Sequence, residues 1–266
     1  MADPIHFAVL RAARRVWAVG SVHGEAGRLA RLHETLITRL EPGDRLVYLG
    51  NVMGRGPAVR ETVDELLAFR CGFLAARDAF VHDIAMLRGA QEEMWQRLFQ
   101  LQFAVNPAEV LDWMLSQGIA ATLAAYGVTA DEARSVIRQG PMAITRWAGR
   151  LRTAFQAAPG HQQYLSALKR AAFAREGTLL FVHRGVDPDR PVEAQGDVFW
   201  WGARAFDTIE APFAGFRRVV RGFDPQHRGL AMSDFTASLD AGCGFGGPLV
   251  AGCFDQAGLL VDSIEA

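Results

Sequence analysis

Short apolar runs, each ending in glycine, alternate with longer amphipathic stretches over the first third of the chain. Residues 15–20, "RVWAVG", read as a buried strand entering a loop. "EAGRLARLHETLITRL" follows, with Leu29, Leu32, Leu36, Ile37 and Leu40 on one helical face, and Pro42-Gly43 stops it. "RLVYLG" predicts a second strand and "AVRETVDELLAF" a second amphipathic helix. "AFVHDIAMLRG" predicts a third strand, with His82 as a core histidine inside it. From about Glu92 to Glu176 the period is helical throughout, as in "EEMWQRLFQLQF" and "HQQYLSALKRAAFA". Strands return at "GTLLFVHRG" and continue through "RRVVRGFDP" and "SLDAG" to a terminal meander, "GPLVAGCFDQAGLLVDSIEA". This order predicts an α/β layered domain over residues 1–266, its working loops at the carboxyl ends of strands, with a helical cap inserted at about 92–176.

Composition narrows the class. The chain has 266 residues, half of them hydrophobic and 21% charged, enough for a substantial core. A net charge of −1 gives no bulk attraction to nucleic acid or anionic membrane. Cys71, Cys243 and Cys253 are odd in number and far apart, which suggests neither a disulfide framework nor a zinc knuckle. No uncharged apolar run approaches the roughly 20 residues needed to cross a bilayer. The expected setting is the reducing cytoplasm.

The chemistry-bearing residues gather at strand ends. In order they are Gly20-Ser21-Val22-His23-Gly24, "GNVMGRGP" at 50–57, "LRGAQEEM" at 87–94, Val182-His183-Arg184-Gly185, and Gly222-Phe223-Asp224-Pro225-Gln226. The last strand region carries "SLDAGCGFGG". In order and spacing this resembles the signature of the calcineurin-like metallophosphoesterases. The branch it is most similar to is that of the bacterial PPP-type phosphatases and symmetrical diadenosine tetraphosphatases, whose pattern reads GDxHG, GDxxDRGP, RGNHExM, VHAG and GHTPQ. The resemblance implies a four-layer αββα sandwich of two mixed sheets. It also implies a site where two divalent cations about 3.5–4 Å apart activate a hydroxide and clamp a phosphoryl group.

Carried across residue by residue, most of that site is missing. His23 and His183 match family ligands. The other ligand positions hold Ser21, Asn51 in place of the bridging aspartate, Ala90 and Phe223. The general-acid position holds Gln91, and the aspartate before the phosphate-gripping arginine is Gly54. Two dications would bring four positive charges to a place whose ligand carboxylates are both gone, so their lost hydration would go uncompensated. No cofactor is therefore expected, with manganese or iron and zinc only if the degenerate site still held metal.

Cations remain. Arg55 keeps the phosphate-gripping position, Arg184 replaces a small residue beside His183, and Arg204 follows the aromatic pair Trp200-Trp201. All three are candidate phosphate contacts. Arg184 is expected to enter the vacated cavity and to pair with Asp224, Glu92 or an anion. Simpler roles stand beside these: Arg55 bonding loop carbonyls, the two histidines bonding backbone, and the tryptophans packing core or cap. "GCGFGG" suits a hairpin better than a dinucleotide loop, and His227 and Arg228 suit a surface loop. The expected function is that of a catalytically impaired phosphatase relative. It would bind a phosphorylated small molecule or nucleotide, or a protein through the cap, with no nucleic acid or membrane partner. The alternative is a residually active metal-dependent phosphoesterase.

Overall fold

A computed structural model describes residues 6–76, 79–174, 178–202 and 205–266. Two mixed sheets form its centre. One contains β2 (Arg15–Val19), β3 (Asp44–Tyr48), β4 (Ile84–Met86), β10 (Val250–Asp255) and β11 (Leu260–Glu265), in the order β11-β10-β2-β3-β4. The other contains β1 (Phe7–Leu10), β5 (Ala171–Ala174), β6 (Leu179–Val182), β7 (Arg218–Arg221), β8 (Gly229–Met232) and β9 (Thr236–Asp240), in the order β1-β5-β6-β7-β9-β8. β2, β3 and β4 run parallel, while β10 lies antiparallel to β2. In the second sheet β6, β7 and β9 run parallel.

The two sheets stack because both faces of their central strands are apolar. Val16, Ala18, Val47 and Leu49 of the first meet Phe181, Val220, Ala237 and Leu239 of the second in one buried cluster. Outside the first sheet lie α1 (Ala26–Arg39) and α2 (Val59–Ala76), joined to it through Leu29, Leu32, Leu36, Val63 and Leu66. Outside the second, the flank is thin. It consists of the single-turn α9 (Val198–Trp201) and 3₁₀ turns, with Phe199, Trp200, Phe206 and Phe213 as the cover.

The cap comprises α3 (Ala90–Leu98), α4 (Pro107–Ser116), α5 (Ala120–Ala125), α6 (Ala130–Arg138), α7 (Pro141–Gln156) and α8 (His161–Ala167). Trp95, Trp147, Phe155, Tyr126 and Tyr164 fill its interior, which is continuous with the core over α2. Among the described residues no helix is long and apolar enough to cross a membrane.

Three expectations differ from this fold. The end of the predicted cap, "AAFA", is strand β5, because it pairs with β1 on one side and β6 on the other and sheet pairing overrides the helical leaning of alanine. His82 is exposed in a 3₁₀ turn before β4, not inside a strand, and stacks on Phe80. "GCGFGG" is not a hairpin: it carries the chain from β9 of one sheet to β10 of the other, with Gly242, Gly244 and Gly246 all at positive φ.

Candidate functional site

The strand-end loops converge at one edge of the sandwich, stitched by backbone hydrogen bonds. Val22 and His23 amides donate to the Asn51 carbonyl, Ser21 N to Gly222 O, and Gly222 and Phe223 amides to the His183 carbonyl. His23 and Asn51 both adopt left-handed backbone (φ 56 and 51), which costs about 1–3 kcal/mol each and persists where surrounding bonds over-determine it. Glu92, fully buried, supplies much of that fixing. Its carboxylate accepts the amides of Asn51, Met53 and Gly89 and the hydroxyl of Tyr164. Burial raises its pKa against the pull of those amides.

The Asn51 carboxamide is engaged on both sides. Its oxygen accepts the Gln91 amide at 2.9 Å, so its nitrogen faces His23 Nε2 at 3.2 Å. That contact makes His23 Nε2 an acceptor and leaves the proton on Nδ1, buried and without a partner. His183 is fixed differently. Its Nδ1 donates to the Leu49 carbonyl at 2.8 Å, leaving a free lone pair on a buried Nε2. Burial drives both imidazoles towards neutrality. His183 is pushed down to about 3, helped by Arg184, and His23 falls well below its ordinary value, helped by His183 and Arg55.

Phe223 packs between the two histidines. The Phe223 ring stacks on His183 at 5.7 Å and meets His23 edge-on at 5.8 Å. Phe245, from the "GCGFGG" turn, closes on His23 at 5.4 Å and His227 at 4.1 Å. His227 is bound to Asp240 at 2.9 Å and is only partly exposed, and Arg228 is ion-paired to Asp224 and Asp207. Gly54 has φ 137, and a Cβ there would stand 2.8 Å from His23 Nδ1. The loop has closed over the volume an aspartate would need.

The arginines take up distinct places. Arg55 lies over the Phe245 ring at 4.4 Å and donates to the Ser116 carbonyl at 3.3 Å, at the C-terminal end of α4. Gln91 donates to the next carbonyl, that of Gln117, at 2.8 Å. Arg184 lies over Phe223 at 5.3 Å with a buried, unpartnered Nε. It pairs with neither expected acid: Asp224 is held by Arg221 at 3.0 Å and Arg228 at 2.6 Å, and Glu92 by backbone amides. Trp201 packs on the cap residue Trp113, whereas Trp200 is core, its indole donating to the Arg88 carbonyl. Arg204 lies outside the described residues.

What remains is a cavity of about 30 Å³ lined by His23, Asn51, Arg55, Gln91, Arg184 and Phe223, among others. That is the space of about one water molecule. The donors around it do not fit a pair of divalent cations. Asn51 Oδ1 and His23 Nε2 are engaged, Phe223 offers no lone pair, and His183 Nε2 stands alone. Among the described residues no three His, Cys, Asp or Glu side chains are placed to hold a metal. The roles of Phe245, Ser116 and Gln117 were missed in the sequence, where only the glycines around Phe245 drew attention to that turn.

No family model matches the chain, and no curated protein does. Solved structures do match. A candidate diadenosine tetraphosphatase is 20% identical with a TM-score of 0.55, covering 98% of both chains. A serine/threonine phosphatase from Saccharomyces cerevisiae, itself similar to human PP5, is 11% identical with a TM-score of 0.54, over 98% of this chain and 82% of that one. The cold-active protein-tyrosine phosphatase of a psychrophilic Shewanella is 12% identical with a TM-score of 0.51, over 98% and 84%. Such distant identities speak for architecture alone, and the chain shares with these phosphatase structures an α/β fold of two mixed sheets flanked by helices.

Proposed function

We propose that this protein has given up metal-dependent phosphoester hydrolysis and acts by binding, taking a phosphate-bearing ligand at Arg55 and Arg184. The single observation that carries the reading is Asn51, whose oxygen and nitrogen are both committed to protein partners at the position a bridging carboxylate would need. Two guanidinium groups, Arg55 and Arg184, line the pocket with Nε atoms that lack acceptors, and no carboxylate is among its lining residues, which favours an anion. At about 30 Å³ the closed pocket takes no nucleotide, so entry requires residues 116–118 to swing away from Arg55 and Gln91.

Metal analysis and a generic phosphoester assay with added manganese test the first half. Stoichiometric metal, with turnover abolished by His23→Ala, would overturn it. Thermal shifts with phosphate, AMP and diadenosine tetraphosphate test the second, since a ligand that binds only the native state must stabilise it. A shift in the wild type that disappears in Arg184→Ala supports the site, and no shift with any of the three rejects it.

A second reading rests on the cap. A groove of about 700 Å³ between α3 and α4 is lined by Leu101, Val110, Trp113 and Met114, and Phe103 stands 81% exposed at its edge. Such a surface suits a protein partner. Affinity capture with the wild type and Phe103→Ser side by side checks it: a companion retained by both, or by neither, counts against this groove.

A further inference from the structure

On a different face of α3 from the collapsed pocket, a second hollow of about 250 Å³ opens between α3, α7 and α8. Its lining is unlike that of the apolar groove. Two cations, Arg88 and Arg152, share it with the amides of Gln96, Gln156 and Gln162 and the hydroxyl of Ser166, and no carboxylate is among the lining residues. From this we infer that the hollow is a binding site for a small oxyanion that also carries hydroxyl or carbonyl groups.

The arrangement has three physical supports. First, the charge is only partly offset. Arg88 reaches Glu93 through Nη1 at 3.2 Å, but that carboxylate is shared with Arg97 at 2.8 Å, and Arg88 Nε is buried with no acceptor. Among the described residues the contact of the Arg152 guanidinium is with the Phe99 ring, while the acid Glu132 is taken by Arg150. Second, both guanidinium groups are held in place by aromatic faces. Arg152 lies 5.0 Å over Phe99 and Arg88 lies 5.9 Å from the Trp200 ring. A stacked guanidinium keeps its in-plane N–H fork free for an oxyanion and has less side-chain entropy to lose on binding. Third, the rim is rich in neutral hydrogen-bonding groups: the amides of Gln96, Gln156 and Gln162, and Ser166, whose hydroxyl donates to the Gln162 carbonyl at 2.9 Å and keeps its oxygen as an acceptor. Amides that donate and accept beside two cations suit a ligand with a charged head and a polar body, not a bare halide ion.

Phosphate and carboxylate share this chemistry, so both are tested. Titration calorimetry on the full chain with inorganic phosphate and, separately, with citrate reads the site directly. Saturable binding of either anion is expected, weakened by about tenfold or more in Arg152→Ala, and this Arg152-dependent binding persists in an Arg184→Ala background, where the pocket at Arg55 and Arg184 no longer contributes. Arg152 is exposed, so its truncation leaves the fold intact, and an unchanged melting temperature confirms that. Gln162→Leu, which keeps the charge and removes the amide, is expected to weaken citrate and phosphate by a smaller factor. Phosphate alone binding assigns a phosphorylated ligand, and citrate alone a carboxylate. Binding of neither, or binding that survives Arg152→Ala undiminished, overturns the site. Loss in Arg184→Ala with retention in Arg152→Ala also overturns it, since the anion then sits in the collapsed pocket instead.

Discussion

His183 shows how burial and a single backbone bond fix the state of an imidazole. Its Nδ1–H is tied to the Leu49 carbonyl and its Nε2 is buried without a hydrogen-bond partner. An imidazole so placed is neutral, with its pKa at about 3 against an ordinary value near 6.5. Because the unfolded chain takes up the proton first, the stability His183 confers is complete above about pH 6.5 and is lost as pH falls towards 3. The slope is about 1.4 kcal/mol per pH unit. His23 adds to that trend, while Glu92 and Asp240, whose pKa values are raised, oppose it. A comparison of variants isolates the one group. His183→Gln is expected to flatten the decline in urea-derived stability by about one proton, ~1.4 kcal/mol per unit, between roughly pH 6 and 4. Parallel curves for the two chains would mean that His183 is protonated in the native state. That Ser21, Asn51, Ala90 and Phe223 belong to strand-end loops was legible in the chain, because each directly follows a strand-ending glycine. The stacking of Phe223 on His183 was not, since a missing ligand in a sequence does not say whether water or a ring fills its place.

At the scale of elements, the cap shares a core with the α/β body and is also tied to it by side-chain hydrogen bonds, two sets of which have a cost that can be measured. Over the site, the α4–α5 connection is held by Arg55 to Ser116 O and Gln91 to Gln117 O. Gly118 sits there at φ 99, and a Cβ would meet Arg55 Cγ at 2.5 Å. Gly118→Ala therefore meets both backbone strain and a side-chain collision. A loss of about 1–3 kcal/mol by urea denaturation is expected, with easier access of anions to Arg184. Away from the site, the Tyr126 hydroxyl of the cap bonds His161 Nδ1 at 2.6 Å, and His161 Nε2 bonds Asp64 on α2 at 2.9 Å. Tyr126→Phe leaves that buried nitrogen without a donor and is expected to cost about 1–3 kcal/mol. A change below a few tenths would show that water replaces the hydroxyl. Helical period alone located this cap, since α3 to α8 repeat apolar positions on one face. It failed at β5, where only pairing with β1 and β6 distinguishes an alanine-rich strand from one more helical turn. The cap's grip on the site was not legible either, because Ser116 and Gln117 contribute backbone carbonyls, which leave no mark on residue type.

At the scale of the whole molecule, scaffold and candidate site draw on separate residues, so either can change without the other. The sheets cohere through Val16, Val47, Phe181 and Val220, none of which touches the cavity. The left-handed turns at His23 and Asn51 are retained, and Glu92 holds the loops in the frame that a ligand set would use. If the frame is intact and only the donors are gone, returning the donors returns the ion. The combined variant Ser21→Asp, Asn51→Asp, Ala90→Asn, Phe223→His supplies two carboxylates, one carboxamide and one imidazole beside the retained His23 and His183. Carboxylates restored without metal would be buried charges in a small cavity. The apo variant is therefore expected to be less stable than the wild type by several kcal/mol, of the order of ~3, and to regain that on adding manganese. The readouts are metal content by elemental analysis and melting temperature with and without manganese. About one or more ions per variant chain, against less than about a tenth in the wild type, is the expected contrast. A variant that folds but binds nothing would show that Gly54 and the Phe245 turn have closed the frame itself, and that the loss runs deeper than the ligands.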